Sequence, residues 1–561
     1  MDKPWLKDYK AGIPAEIAPV YETVVDLFAD SCRRYASKKA LTCHGVSLTF
    51  AEVHQRVINV AAGLAALGVS KGDRVAIVLP NSLQYPITMF AILLLGAVVV
   101  NVNPLYTVDE MQYIMEDAEP KVVVCLDMFA AKLNGCAGKF GIKQIVISHF
   151  ADPYPVFKRT LIGFYLRYLA RINPKLTYSP KKWRDLFNFR SAHGSYPRIT
   201  LEDVAFIQYT GATTGRPKGA ILTHGNMSSN IHQVNAIIDI QVENWHEQIL
   251  LCALPLYHIF SLHSNLFTPF FHGAETIMVP NARNIKSLVR LMNKTQFSVF
   301  NSLDSLYHKL LENDEFTKMN HDSYKYGICG GMPLRESVAA QWTKLTGVIP
   351  VNCYGMTEAC PCISMSYFDE PYNGSAGFPA PSTEISIRQL DDINQLQPVG
   401  EAGAIVVRGP QFAKGYWKKP EQTKQSFTED GWLITGDVGY FNDKNQLVIS
   451  GRSSEMVIVS GFNVYPAEVE RVLDQLSAIR EASVIGRANE DTGEEVVACI
   501  VFHSGQTLPT NEIILHCRKL LSKYKVPHSI YILPELPKKL VGKVDKKMLL
   551  ERLTAGDYQP C

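Results

Sequence analysis

Short apolar runs of strand length recur between longer segments of helical period. Arg74–Leu79 (RVAIVL) and Lys121–Leu126 (KVVVCL) are two such runs, and Phe50–Leu67 is a segment of the second kind. A strand, a helix and another strand bury their apolar faces together most simply as a parallel sheet covered by helices. The expected fold class is therefore α/β, built in layers with largely parallel sheets. The most apolar stretch, Ile87–Val100 (ITMFAILLLGAVVV), is shorter than the ~20 residues of a membrane-spanning helix. It reads as a buried helix running towards a strand.

The pattern changes near residue 450. Before the change, Asn442-Asp-Lys-Asn445 forms a turn in which an asparagine suits a left-handed backbone. After Gly451-Arg452 come an apolar run at Met456–Val459, a helix from Pro466 to Leu476, and strands at Glu481–Ile485 and Val496–Phe502. This is the pattern of a separate α+β unit, so the expected division is 1–451 and 452–561, each within reach of its own core. Pro537–Lys543 (PKKLVGK) reads as an exposed basic loop leading to a last helix.

With 56 Lys and Arg against 54 Asp and Glu, the chain lacks the basic excess of a nucleic-acid binder. Its 12 cysteines show no repeating spacing, and Cys360-Pro-Cys362 is not a CxxC pair, so neither zinc nor a thioredoxin-like site is indicated. Scattered free thiols suit a reducing, cytoplasmic compartment, and the first twenty residues carry no signal-peptide core. In Val156–Ile172 (VFKRTLIGFYLRYLARI), helical spacing puts Leu161, Tyr165, Tyr168, Leu169 and Ile172 on one face and Arg159, Arg167 and Arg171 away from it. That is the pattern of a basic amphipathic helix lying on the inner face of the cytoplasmic membrane, or of an ordinary surface helix. A homodimer is left open.

The stretch Tyr209–Gly219, YTGATTGRPKG, follows the apolar run Val204–Ile207. Gly211, Gly215 and Gly219 give backbone N–H groups close access to an anion. Thr210, Thr213 and Thr214 add hydroxyls, and Lys218 adds charge. These are the parts of a phosphate cradle, although the same composition also makes an ordinary surface turn. It is not a P-loop, which needs Gly-Lys followed by Ser or Thr. Asn226 and its successors read as opening a helix.

Other stretches carry weaker signals. In Asn352–Glu358 (NCYGMTE), Glu358 suits Mg2+ and Thr357 suits a phosphate. In Thr435-Gly-Asp437, the carboxylate suits ribose hydroxyls or caps a turn. Lys543, beside Gly542, is either solvated or swings into a site to neutralise developing charge.

Taken in order, YTGATTGRPKG, LPLYHIF at Leu254–Phe260, GGMP at Gly330–Pro333, YGMTE at Tyr354–Glu358, GWLITGD at Gly431–Asp437, GRSSEMVIVSGFNVYPAEVE at Gly451–Glu470 and the terminal Gly542-Lys543 resemble the adenylate-forming superfamily. That superfamily holds acyl-CoA synthetases, luciferases and peptide-synthetase adenylation domains. The match runs from about Tyr21 to the end. The opening WLKDYKAGIPAEI, NVNPLYT at Asn101–Thr107 and SGFNVYP at Ser460–Pro466 look most like bacterial long-chain fatty-acid–CoA ligases.

The resemblance implies a large adenylation domain and a small, mobile C-terminal one. It implies ATP and CoA as co-substrates, Mg2+ as cofactor and a fatty acid as the acid. Tyr209, Thr210, Gly211, Ala212, Thr213, Thr214, Gly215 and Lys218 would grip the ATP phosphates. Thr210 and Glu358 would hold the metal, with Thr357 beside them. Tyr354 and Gly355 would lie along the adenine, and Asp437 would bind the ribose with Arg452 nearby. Lys543 would reach the carboxylate and the α-phosphate. His258, Gly330 and Gly331 would border the acyl chain, and Ser460, Gly461 and Phe462 would line the CoA path. The hinge would fall at Ser454, where the family carries Asp or Lys, and Ala212 stands where a glycine is usual. An aryl or medium-chain acid, a carrier-protein thiol as acceptor, and a non-catalytic nucleotide- or acyl-binding protein are the other readings.

Overall fold

The computed structural model describes residues 3–18, 23–154, 157, 159–160, 162, 174–189, 196–210, 216–460, 462–489, 491–539 and 543–558. The Val156–Ile172 amphipathic pattern therefore lies largely outside the described residues, as do Gly211–Gly215, Gly461 and Gly542.

The alternation of strands and helices produces a seven-stranded sheet. Its order is Lys181–Lys182, Gln144–Ser148, Val122–Leu126, Arg74–Val78, Val98–Asn101, Val204–Tyr209 and Gly219–Thr223. Every neighbouring pair is parallel except the last, an antiparallel hairpin in which Tyr209 faces Gly219. The apolar stretch at Ile87 becomes the helix Gln84–Leu94, buried on all sides, followed by the buried strand Val98–Asn101. It packs with Phe28, Phe267 and Phe270 in the largest core, where Phe90 lies 4.2 Å from Phe28 ring to ring. No helix among the described residues is long and apolar enough to cross a membrane.

A second sheet joins Ile249–Cys252, Glu275–Met278, Lys39–Cys43 and Val46–Thr49. A third joins Gly327–Gly330, Pro350–Gly355, Cys362–Met365 and Phe378–Pro379. The fourth, Glu384–Arg388, Gly403–Arg408, Leu433–Phe441 and Leu447–Arg452, is antiparallel throughout. Only one short helix, Pro420–Ser426, interrupts it, so its chain returns by hairpins. Asn445 sits in the hairpin turn with φ +54°, the left-handed conformation the sequence asks for.

Beyond residue 456 a fifth sheet stands on its own core. Its long hairpin, Ile479–Asn489 with Gly493–Phe502, carries the parallel strand Ser529–Ile532 and the short strands Val457–Val459 and Phe462–Val464. The helices Pro466–Asp474 and Thr510–Leu520 cover one face through Val469, Leu473, Ile513 and Cys517. The last helix, Lys546–Thr554, covers the other through Leu549 and Leu553.

Candidate active site

The seven-stranded sheet sets the position of the phosphate-type loop. Antiparallel pairing of Val204–Tyr209 with Gly219–Thr223 brings the two ends of the loop together, and the Thr210 N–H donates to the Lys218 carbonyl at 2.9 Å. The Tyr209 ring turns away from the loop and its hydroxyl donates to Asp117 at 2.6 Å. Only the backbone of Tyr209 borders the loop. The helix that follows, His224–Ile238, starts from Thr223, whose side chain forms a capping box with Asn226.

A neighbour that the sequence reading missed lies beside Lys218. Residues 415–417 run along the hairpin, with Ile221 N–H donating to Gly415 O and Trp417 N–H to Gly219 O. This puts the Tyr416 ring 5.0 Å under the Lys218 ammonium. The Tyr416 hydroxyl donates to Glu358 Oε1 at 2.6 Å. Glu358 is 6% exposed, in a one-turn helix Thr357–Ala359 after the strand Pro350–Gly355. A side chain at Gly355 would strike the Pro361 carbonyl, so only glycine lets the chain double back here. Tyr416 carries no motif a single sequence would flag, and only the fold brings it to Glu358.

Glu358 offers one carboxylate beside a cationic, small-residue loop. Among the described residues no group of three or more metal-binding side chains occurs. That donor set fits Mg2+, which takes one or two protein carboxylates and completes its shell with water and substrate phosphate oxygens. It does not fit a structural metal.

The fourth sheet builds the next cluster. Asp437 and Arg452 are direct cross-strand partners, and Arg452 Nε lies 2.9 Å from Asp437 Oδ1. The Tyr354 hydroxyl donates to Asp437 Oδ2 at 2.7 Å, and the Asp437 N–H donates to Thr435 Oγ1. Asp437 is 6% exposed. Burial raises its pKa even though Arg452, Tyr354 and Lys543 all favour its charged form. Arg452 is held in its charged form by Asp437, which outweighs burial.

Lys543 enters this cluster from near the opposite end of the chain. Burial lowers its pKa first and the Arg452 charge second, while Asp437 and Glu455 work against them. In the segment before it Lys538 is exposed, as is Lys543 itself, in keeping with the basic loop expected from the sequence, and backbone contacts join its two ends. Lys538 pairs with Val544 and the Lys539 N–H donates to Lys543 O. Lys538 is also tied to Glu481 at 2.6 Å, so its charge is spent inside the molecule. Lys546, just beyond, pairs with both Glu455 and Glu470 at 3.1 Å.

His258 caps the short helix Ile259–Leu262, its Nδ1 accepting from the Phe260 N–H. The ring opens onto solvent inside the recess, but the surrounding protein and the Lys543 charge push its pKa down to about 4. It is neutral at pH 7. Gly330 ends the strand Gly327–Gly330, where a side chain would crowd Phe260 and the Cys353 carbonyl. Gly331 follows with φ +76°.

Gly331, Tyr354, Gly355, Asp437, Arg452 and Lys543 meet on the walls of a cleft of about 390 Å³, whereas Thr210, Lys218, His258, Gly330, Thr357 and Glu358 are not among its lining residues. Ser460 and Phe462 are not on its walls. They form a turn elsewhere on the fifth sheet, Ser460 with φ +51° and Phe462 exposed and stacked on Tyr524 at 4.8 Å. Ser454 is exposed in the one-turn helix Ser453–Glu455 between the fourth and fifth sheets.

Two charged clusters result: Lys218 and Glu358 joined through Tyr416, and Arg452 and Lys543 around the buried Asp437 carboxylate, a set of charges that suits anionic substrates. The Escherichia coli O157:H7 protein named long-chain-fatty-acid–CoA ligase is 38% identical over 559 residues, 98% of each chain. Its namesake in Bacillus subtilis strain 168 is 34% identical over 99% of each. The crystal structure of ATP-bound MatB from Rhodopseudomonas palustris is 29% identical and superimposes with a TM-score of 0.82, covering 94% of this chain and 98% of that one. The family described as AMP-binding enzyme matches residues 28–417, and the AMP-binding enzyme C-terminal domain matches 468–543. With the family model matching most of the chain and a relative 38% identical over nearly its whole length, the chain belongs to the AMP-binding enzyme family.

Proposed function

We propose that this protein is an ATP-dependent long-chain fatty acid–CoA ligase. The fatty carboxylate attacks the α-phosphorus of ATP, pyrophosphate leaves, and acyl-AMP remains. The CoA thiol then attacks the acyl carbon, and AMP departs. The observation that carries this reading is the meeting of Lys543 with Asp437 and Arg452 on the walls of one cleft, with the Lys543 charge also felt at His258. Two anions must approach each other in the first step, and the Lys543 ammonium offsets their repulsion. No general base is needed, because the carboxylate is already ionised. This agrees with a His258 that stays neutral.

In this reading Asp437 holds the ribose, Tyr354 and Gly355 flank the adenine, and Lys218 with the Thr210–Gly215 loop holds the outer phosphates. Glu358, oriented by Tyr416, would hold Mg2+ together with Thr210, and the ion would supply charge neutralisation on the phosphates. Gly330, Gly331 and His258 border the acyl head. With the division at 451/452, the small unit would turn about Ser454, while Arg452 at its boundary stays paired with Asp437 on the fourth sheet. The turn would bring Ser460, Gly461 and Phe462 to the cleft for the second step in place of Lys543. The eleven cysteines among the described residues are all free, which supports a reducing, cytoplasmic setting.

The test is acyl-CoA and AMP formation, read by mass spectrometry, from purified protein with ATP, Mg2+, CoA and a panel of carboxylic acids. Long-chain acyl-CoA with equal AMP is expected. Acyl-AMP alone would point to a different thiol acceptor, and preference for an aryl or medium-chain acid would replace the substrate class. Peripheral membrane contact through Val156–Ile172 rests on the sequence pattern. It predicts co-sedimentation with anionic vesicles that falls when Arg159, Arg167 and Arg171 are neutralised. Unchanged sedimentation would remove it.

A further inference from the structure

The helix Glu336–Thr346 begins without a cap of its own. Arg335 occupies the N-cap position with extended backbone and makes no side-chain cap bond. Arginine is a poor residue there, since it offers no oxygen to the free N–H groups of the first turn. The missing acceptor comes from 137 residues further along the chain. The Asp474 carboxylate accepts from the Ser337 N–H at 3.1 Å and from the Ser337 hydroxyl at 2.7 Å. Asp474 is itself the last residue of the helix Pro466–Asp474. A carboxylate at its own helix's C-terminus faces the negative end of that helix dipole. Its position is favourable only when it meets the N-terminus of the other helix, and that helix belongs to the large domain.

Arg335 makes the second contact across the same interface. Its Nε and Nη2 each lie 2.8 Å from Asp304 Oδ2, and its Nη1 donates to the Arg480 carbonyl at 2.8 Å. Burial disfavours the Arg335 charge, but Asp304, Glu481 and Asp474 together outweigh it. Of these, Glu481 holds Lys538, and the Lys538–Val544 bridge carries Lys543. One connected path therefore runs from the uncapped helix to the lysine in the cleft.

We propose that Asp474 and Arg335 form an interdomain latch that sets Lys543 in place for acyl-adenylate formation and is released for the thiol step. Both are positioning residues. Neither is assigned a contact with the reacting atoms. The latch rests on the two-step reading above, in which Lys543 serves the first step alone. Its contacts are few and polar, and a rigid rotation of the small domain breaks them together. Both residues lie on the wall of the same cleft as Lys543, and losing one cap shifts the population away from the docked arrangement.

The experiment measures the two half-reactions separately on the full-length protein. The first is ATP–pyrophosphate exchange driven by a long-chain fatty acid. The second is conversion of synthetic acyl-AMP and CoA to acyl-CoA. Asp474→Ala is expected to slow the first by roughly fivefold to tenfold, the scale of a lost N-cap, and to leave the second unchanged or faster. Asp474→Asn keeps an acceptor and is expected to restore most of the first. It also keeps the test alive if the alanine variant does not fold. Equal loss in both half-reactions, no loss in either, or an asparagine variant as slow as alanine would overturn the latch. A Lys543→Ala control separates the two levels. If it harms both half-reactions alike, the two-step reading falls and takes the latch with it.

Discussion

Two ion-pair clusters use the same chemistry in opposite ways. Asp437, Arg452 and Tyr354 sit on strands of the large domain, and Asp437 and Arg452 face each other directly across an antiparallel ladder. Opening that cluster means unzipping part of a sheet. Asp304, Arg335 and Asp474 also bring an arginine between buried or half-buried carboxylates, but Asp474 comes from another domain. Opening that cluster means turning one rigid body. The first is preorganised, as a nucleotide site must be. The second, in the proposed latch, is a docking contact whose strength would set how often the enzyme occupies one arrangement.

Lys543 tests the division most sharply, because it serves the first cluster while being carried by the second. Lys543→Ala is expected to reduce acyl-adenylate formation by about a hundredfold or more, in line with the loss of other transition-state donors. Pyrophosphate exchange reads this directly. A loss of only a fewfold would mean that Arg452 and the loop suffice, and the comparison would lose its link.

Next in size is Asp437→Asn. The asparagine still accepts from Tyr354, but the half-exposed Arg452 loses its charged partner at the buried position 437. A hydrogen bond to a charged group contributes about 1.5–3 kcal/mol, so KM for ATP is expected to rise roughly tenfold to a hundredfold. Asp474→Ala, by contrast, should leave KM for ATP alone. Steady-state kinetics on both variants decides whether the two clusters are separable. A matching rise in both would show that they act as one network.

The parts of this design differ in how plainly the chain announces them. The strand before the phosphate-type loop, the buried helix at Ile87 and the left-handed Asn445 follow from local rules: apolar period, length, turn chemistry. Asp437 and Glu358 stand in short stretches of sequence that carry chemistry on their face. Tyr416 does not, because its meaning comes from the hairpin packing that sets its hydroxyl on Glu358. Asp474 and Ser337 were equally silent. Each is an ordinary surface residue by local reading, and their contact depends on how two separately folded domains meet. The exposure of Lys538 and Lys543 follows from the sequence, but the pairing of Lys538 with Glu481 does not, since the local pattern could not place that strand beside it. Local rules fix elements, while contacts between elements far apart in the chain need the three-dimensional arrangement.

The smallest expected effect comes from His308, which lies on the docking side of the large domain with its ring 6.4 Å from that of His503. Its pKa is pushed down to about 4 by burial first and by Arg335 second, with Glu481 opposing and His503 and Arg480 adding. Glu312 on its own helix is 3.5 Å away. When the small domain turns away, His308 loses Arg480 and His503 and gains water, so its pKa returns towards the ordinary ~6.5. The undocked arrangement then binds more protons between those two values. Docking is therefore fully favoured above about pH 6.5 and weakens as pH falls towards 4. Acyl-adenylate formation should drop by at most about eightfold relative to thioester formation between pH 7 and 5.5, the limit set by a full return of the pKa to ~6.5. His308→Gln, which cannot titrate, should hold that ratio flat and so separates this effect from any titration of Lys543. An unchanged slope in the glutamine variant would mean that His308 keeps its burial in both arrangements, and that the second cluster alone sets the docking balance.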